Sequence, residues 1–346
     1  MNALTYITRK CPRKCDYCDL SKNIGRELDT KQWVEAFSRL KDIGVEFNLI
    51  LGNEAWLLGE SLVTIINSAK IPYAVYTTCH PMLFQMYAKT YFGDEEGIDN
   101  LSCGIDYPYK WLVEFEKQRK QYMTDIHRKS LDAWRGIIQT KATFLRDIDI
   151  QGTVTVGRHN FKQLPHIVRD LYNLEAFCGI NFIHWNKDGK YDFFPTKDEL
   201  RKFTFNDKTV KKELQKVLNA VKAMPNTVQN IEMLDVSVDV LTNLTWHCQG
   251  DPYGGPTVDA NGSLRCCGYR KGERTPKFSI FDLPSKLSDW KEAVYLDAKE
   301  CPGCIWSYPW MYKYWRDRNP EFGKKIFSVH AGKHIPKSNW SRRKFE

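Results

Sequence analysis

The chain has 346 residues, 42% hydrophobic and 13% aromatic, enough to bury a core of one or two domains and to exclude a mainly disordered chain. Lys and Arg outnumber Asp and Glu by 51 to 42, a net +9 that favours anionic partners without naming one. No stretch reaches the ~18 uncharged apolar residues of a membrane span, and the opening MNALTYITRKCPRK lacks the apolar region of a secretory signal, so a cytoplasmic, membrane-free protein is expected.

In chain order, residues 3–9 are β-branched and aromatic and read as a strand that runs into Cys11. Asp29 caps a helix in which Trp33, Phe37 and Leu40 recur at helical spacing, and Gly44 ends it. Residues 45–51 form the next strand, closed by Gly52-Asn53-Glu54. A helix over 59–69, a strand over Tyr73–Thr78, a helix over 81–91 and a strand over 100–106 follow. Then come a helix over 128–145, a strand over 150–156, a helix over 163–174 and a strand over 179–184. Six strands alternating with helices predict a parallel α/β sheet, too short for a closed eight-stranded barrel and so an open, partial (β/α)6 barrel. Such sheets bind ligands at the C-terminal strand ends.

Eleven cysteines carry most of the chemical information. In a reducing compartment, clusters of them read as metal ligands or reactive thiols rather than disulfides. Cys11, Cys15 and Cys18 form a C-x3-C-x2-C run on the loop after the first strand. Three thiolates from one short loop suit three irons of a cubane with the fourth open, or a zinc knuckle that borrows a distant ligand.

This spacing, with Tyr17 before the last cysteine, resembles the radical S-adenosylmethionine (SAM) superfamily. Further positions match in order. Gly52-Asn53-Glu54 stands where the family carries Gly-Gly-Glu, with Asn53 a departure. Tyr76-Thr77-Thr78 ends the third strand, and Ser102-Cys-Gly-Ile-Asp106 resembles a family Ser-Leu-Asp segment in which Gly104 replaces serine. Arg128 aligns with an arginine that commonly reaches the SAM carboxylate. The resemblance implies SAM contacts from Tyr17, Gly52, Asn53, Glu54, Thr78, Ser102, Asp106 and Arg128. It also implies reductive cleavage of SAM at a 4Fe–4S cluster, with hydrogen abstraction from substrate by a 5′-deoxyadenosyl radical.

Toward the C-terminus, Cys248-x13-Gly262-x4-Cys267 followed by Cys301-x2-Cys304 resembles the shortened "twitch" form of the SPASM auxiliary-cluster domain. One further closed 4Fe–4S cluster held by Cys248, Cys267, Cys301 and Cys304 is implied, with Cys266 as the alternative to Cys267. The same spacing also fits a zinc ribbon. The expected division is a barrel over 1–190, a connecting helical segment over 191–244, a twitch domain over 245–312 and a basic tail over 313–346. From Lys313 onward ten Lys and Arg face three Asp and Glu, a net of 10 − 3 = +7.

Cys79, Cys103 and Cys178 are candidate hydrogen-atom donors to a substrate radical, against the commoner reading of inert buried thiols. On an alternating strand at most one of Ser102 and Cys103 faces the interior. His80, His127, His159 and His184 show no ligand spacing, and His247 reads as packing beside Cys248. The aromatic run at 306–315 reads as packing around a cluster. The tail reads as a solvated end, with nucleic-acid contact not favoured.

Together these predict a radical SAM oxidoreductase that takes its electron from a flavodoxin or ferredoxin and acts on a small molecule or peptide, oxidising it through the auxiliary cluster. The start of the chain close to Cys11 counts against an N-terminal peptide-recognition domain. The alternatives are a thiol-quenched epimerase and a non-enzymatic zinc- and nucleic-acid-binding protein, told apart from the enzyme by iron and sulfide content.

Overall fold

The computed structural model describes residues 1–18, 25–93, 97–98, 100–144, 148–183, 205, 210–222, 224–227, 238, 255–268 and 272–301. Strands β1 (Asn2–Tyr6), β2 (Phe47–Leu51), β3 (Tyr73–Thr77), β4 (Asn100–Gly104), β5 (Asp149–Val156) and β6 (Phe177–Phe182) lie side by side in sequence order. Every neighbouring pair is parallel. The returns are made by α1 (Thr30–Asp42), α2 (Glu60–Ser68), α3 (Pro81–Phe92), α5 (Asp125–Thr143) and α6 (Leu164–Asn173), with α4 (Tyr109–Arg119) inserted before α5. This is the partial (β/α)6 barrel that the pattern predicts.

The strands are apolar runs because helices cover one face and the barrel interior the other. Helix α1 buries Trp33, Ala36, Phe37 and Leu40, spaced for one face, and an Asp29–Gln32 capping box fixes its start. Trp56 packs against Phe84, Tyr91 and Phe92 at ring distances of 5.8, 5.1 and 5.9 Å. Each such side chain contributes about 1.5–3 kcal/mol on burial. Sequence patterning does not predict α4, whose YKWLVEFEKQR buries Leu112 alone and so carries no apolar stripe. Helix α5 begins at Asp125 rather than 128, because Thr124 and His127 close a capping box there.

Two short strands extend the sheet beyond β1. β7 (Thr257–Val258) pairs parallel to β1, and β8 (Leu264–Arg265) returns antiparallel to β7. The turn between them needs Gly262, whose φ is +81° and whose N–H donates to Asp259 O at 2.8 Å. The glycine of the Cys-x13-Gly-x4-Cys spacing is therefore a turn requirement. α7 (Lys211–Lys222) packs on α6, and α8 (Leu287–Lys299) ends just before Cys301. At the opposite edge, the Cys178 N–H donates to Asn226 O at 2.8 Å and Thr227 bridges β6, blunting that edge. Most of the expected connecting segment over 191–244, and all of 313–346, lie outside the described residues. Among the described residues no helix is long and apolar enough to cross a membrane.

Candidate functional site

At the C-terminal ends of the strands the loops enclose a cleft of about 260 Å³. One wall is the loop after β1, from which Cys11, Cys15 and Cys18 all face the cleft. Helix α5 holds that loop with Asp125, Lys129 and Asp132, spaced i, i+4, i+7 and so on one face. Asp125 Oδ2 accepts from the Lys14 N–H at 2.8 Å, Lys129 Nζ donates to the Tyr17 hydroxyl at 2.6 Å, and Asp132 pairs with Arg13. Both Arg13 and Asp132 are buried.

Burial pushes the Cys11 thiol up to about 11 and the Cys15 thiol up to about 12. Coordination to a metal deprotonates such thiols outright. Among the described residues no three Cys, His, Asp or Glu side chains converge on one point as the ligands of a single ion do. Three soft thiol donors on one cleft are of the chemical type that suits an iron–sulfur cluster.

The expected cofactor contacts divide. Tyr17, Gly52, Asn53 and Thr78 line the cleft. Asn53 turns its side-chain amide to the Arg9 carbonyl, and its buried Oδ1 has no partner, an acceptor left for a ligand's donor. A Cβ on Gly52 would meet Thr8 Cγ2 at 3.1 Å and Thr8 O at 3.3 Å, so the glycine lets the segment that follows β1 pass close by.

Glu54 is fully buried and does not line the cleft. It accepts from Thr77 Oγ1 at 2.7 Å, the Thr78 N–H at 2.8 Å and Thr78 Oγ1, clamping the ends of β2 and β3 together. Ser102 is buried beside Gln151 in the register, off the cleft. Asp106 is buried behind the wall, 2.6 Å from Lys129 Nζ and accepting from the Tyr17 hydroxyl at 3.0 Å. Arg128 is exposed and paired with Asp125 at 3.7 Å, and the cations that line the cleft among the described residues are its neighbour Lys129 and Arg13. Burial alone would strip Lys129 of its proton, but Asp106 against it holds its pKa above the ordinary lysine range. Gly104 gives Lys129 its room, since a Cβ there would stand 3.2 Å from Nζ.

None of Cys79, Cys103 and Cys178 lines the cleft, contrary to the hydrogen-donor expectation. Alternation turns Cys103 and Cys178 to the helix-covered face, as it does Gly152, whose Cβ would strike Leu171 of α6 at 2.8 Å. Cys79, at φ +50°, lies under α5, where a Cβ on Gly136 would come to 3.0 Å from its sulfur.

Of the second cysteine set, Cys248 and Cys304 lie outside the described residues, as do His184, His247 and the aromatic run. Cys266 is buried with its thiol toward Val294 O of α8, while Cys267 and Cys301 are half-buried. Asp259 ties this hairpin to the first loop, pairing with Arg9 at 2.7 Å and Arg265 at 2.9 Å. Burial would raise its carboxyl pKa, but hydrogen bonds and charge from the two arginines hold it at about 2. The Tyr6 hydroxyl, on the cleft, donates to Gly268 O at 2.7 Å.

Sequence reasoning misses Lys129, the Arg13–Asp132 pair and the neutral far wall of Thr153, Thr155 and Asn181. The signal for the first two is the charge spacing along α5, visible once its start is known.

No family model matches the chain. The PqqA peptide cyclase of Bradyrhizobium diazoefficiens is 26% identical over 211 residues, 58% of this chain and 52% of that one. The chain thus spans about half the length of this curated relative. Among solved structures, SuiB of Streptococcus suis bound to precursor peptide SuiA superposes with a TM-score of 0.59 at 12% identity, covering 86% of this chain and 66% of that one. Native anSMEcpe, with bound AdoMet and Cp18Cys peptide, superposes with a TM-score of 0.53 at 14% identity, covering 86% and 82%. Over most of its length the chain therefore shares the fold of SuiB and of anSMEcpe.

Proposed function

We propose that this chain is a radical SAM enzyme that modifies a peptide, with Cys11, Cys15 and Cys18 holding the catalytic 4Fe–4S cluster. The observation that carries this reading is that all three thiols share one cleft with the paired cation Lys129 and the partnerless acceptor Asn53 Oδ1. That donor set fits the cluster and the amino-acid end of SAM, with Asn53 Oδ1 accepting from the ammonium and Lys129 facing the carboxylate. Bound there, the cluster and SAM supply one-electron cleavage of the sulfonium and a carbon radical able to take hydrogen from an unactivated C–H bond.

The chain's own residues orient and shield. Arg13–Asp132 and Tyr17–Lys129–Asp106 hold the cysteine loop on α5, and Glu54 fixes the rim at Thr77 and Thr78. A peptide substrate is supported by the relatives that carry peptide in their names, PqqA peptide cyclase and SuiB with SuiA. A flavodoxin or ferredoxin is the proposed electron donor, and the cytoplasm the proposed location. Oxidation through a second 4Fe–4S cluster at Cys248, Cys267, Cys301 and Cys304 is favoured over quenching by a lone thiol, because no lone thiol among the described residues reaches the cleft. Contact between Tyr6 and Gly268 sets the segment of Cys267 against the cleft wall.

The test is anaerobic reconstitution with iron and sulfide followed by SAM and a low-potential reductant. Formation of 5′-deoxyadenosine supports the reading, and its absence from a chain that carries iron and sulfide refutes it.

A further inference from the structure

A second cavity, of about 530 Å³, opens between α3 and α5 and shares no lining residue with the cleft. Its volume falls within the roughly 300–1,000 Å³ of ordinary small-molecule sites. Helical spacing builds it. Phe84 and Ala88 of α3, four residues apart and both buried, form its floor with Gly136 of α5. That glycine leaves the space open, since a Cβ there would come to 3.0 Å from Cys79 Sγ and 3.6 Å from Phe84 Cδ2. Gln85 and Lys89 of α3, with Arg135 and Gln139 of α5, make an exposed polar rim, each pair again four residues apart.

The charges on this lining are unequal in what they have left to give. Asp132 is neutralised by Arg13, and Arg135 is paired with Glu116 at 2.7 Å. Lys89 forms no ion pair among the described residues. The rim thus holds an uncommitted positive charge between two side-chain amides, above an apolar floor. We propose that this cavity is a binding site for a small organic anion, an apolar body of one or two rings bearing a carboxylate, which Lys89 and the Gln85 and Gln139 amides receive. The site lies outside the cleft, and its assignment does not rest on the radical SAM reading. A cationic ligand would face Lys89 and Arg135 with the one lining carboxylate already taken, a like-charge contact with nothing to offset it. The apolar body displaces water from the floor of Phe84 and Ala88. Asp132 lines this cavity and Arg13 lines the cleft, so one buried ion pair separates the two sites.

The test is isothermal titration calorimetry of the full chain at neutral pH with three probes of one shape: 1-naphthylacetate, 1-naphthylacetamide and 1-naphthylmethylammonium. The expected result is saturable binding, with the anion held at least about fivefold more tightly than the amide, and the cation weakest. Lys89→Gln should weaken the anion and remove its preference over the amide. Gln139→Trp, which sets an indole into the mouth, should weaken all three. Both positions are exposed, so both variants are expected to fold, which thermal unfolding without probe checks. No binding of the anion up to about 5 mM overturns the proposal. Equal or tighter binding of the amide or the cation overturns it, as does an anion affinity that either folded variant leaves unchanged, which would place the probe elsewhere. The comparison of the three probes on the wild-type chain stands without the variants.

Discussion

Two linings of the cleft, the cysteine loop (the near wall) and strands β5 and β6 (the far wall), are built on opposite principles. The near wall is a short loop with little regular structure of its own, held in place by buried charge: Arg13 on Asp132, Lys129 on Asp106, and Arg9 on Asp259. The far wall is two hydrogen-bonded strands presenting neutral hydroxyls and amides. A loop that must hold thiols around a charged group needs tethers that survive its own lack of a ladder, and it pairs each buried charge. A strand already rigid can spend its side chains on recognition. Under the proposed function the charged end of the cofactor belongs to the near wall.

The largest effect should come from removing the near wall's donors. Replacing Cys11, Cys15 and Cys18 together by Ala should lower 5′-deoxyadenosine formation by more than about 10³-fold and remove about four irons per chain, leaving any second cluster in place. Iron analysis and product assay check this, and full activity in the variant would break the comparison at its root.

Next comes Asp132→Asn, which leaves the Arg13 guanidinium buried without its counter-charge. It should cost about 3–5 kcal/mol in denaturant unfolding of the metal-free chain. Glu35→Gln, which breaks the exposed Arg39 pair on α1, should cost under about 0.5 kcal/mol. Equal costs would mean that buried charge does not hold the loop.

Asp259 gives a pH signature. Its folded pKa, about 2, lies below the ordinary carboxylate value, so its contribution is present at neutral pH and is lost as pH falls from about 4 toward 2. A carboxyl held that far below its ordinary value, on a side chain 15% exposed, contributes about 2–3 kcal/mol. Asp259→Asn should lose that much at pH 7 and show a flatter acid limb, measured by thermal unfolding across pH.

The smallest expected effect sharpens the assignment of neighbours on α5. Lys129→Met should weaken SAM binding about tenfold or more, whereas Arg128→Met should change it less than about twofold. The reverse order would restore Arg128 as the cleft cation.

Much of the fold is legible in the sequence because parallel strands between helices read as short apolar runs, and six of them stand out in the chain's own pattern. The cysteine loop is legible for a similar reason, since three thiols at that spacing have few other uses. What escapes depends on facts that sequence periodicity does not carry. The Thr124 cap starts α5 three residues early, which puts Arg128 inside the helix rather than at its opening, and packing turns the Asp125–Lys129–Asp132 face to the cysteine loop. Glu54 is consumed by Thr77 and Thr78, partners 23 and 24 residues away that only tertiary structure brings near. Cys103 and Ser102 alternate across the sheet as expected, but which one looks inward is decided by packing against the helices.

The most direct test of the division between the walls is an anaerobic crystal structure of the reconstituted chain with SAM bound. The methionyl end of SAM is expected against the cysteine loop, its ammonium within hydrogen-bond distance of Asn53 Oδ1 and its carboxylate facing Lys129, with the β5–β6 wall left open. Electron density that places the methionyl group on Thr153 and Asn181, away from the cysteines, would contradict that division.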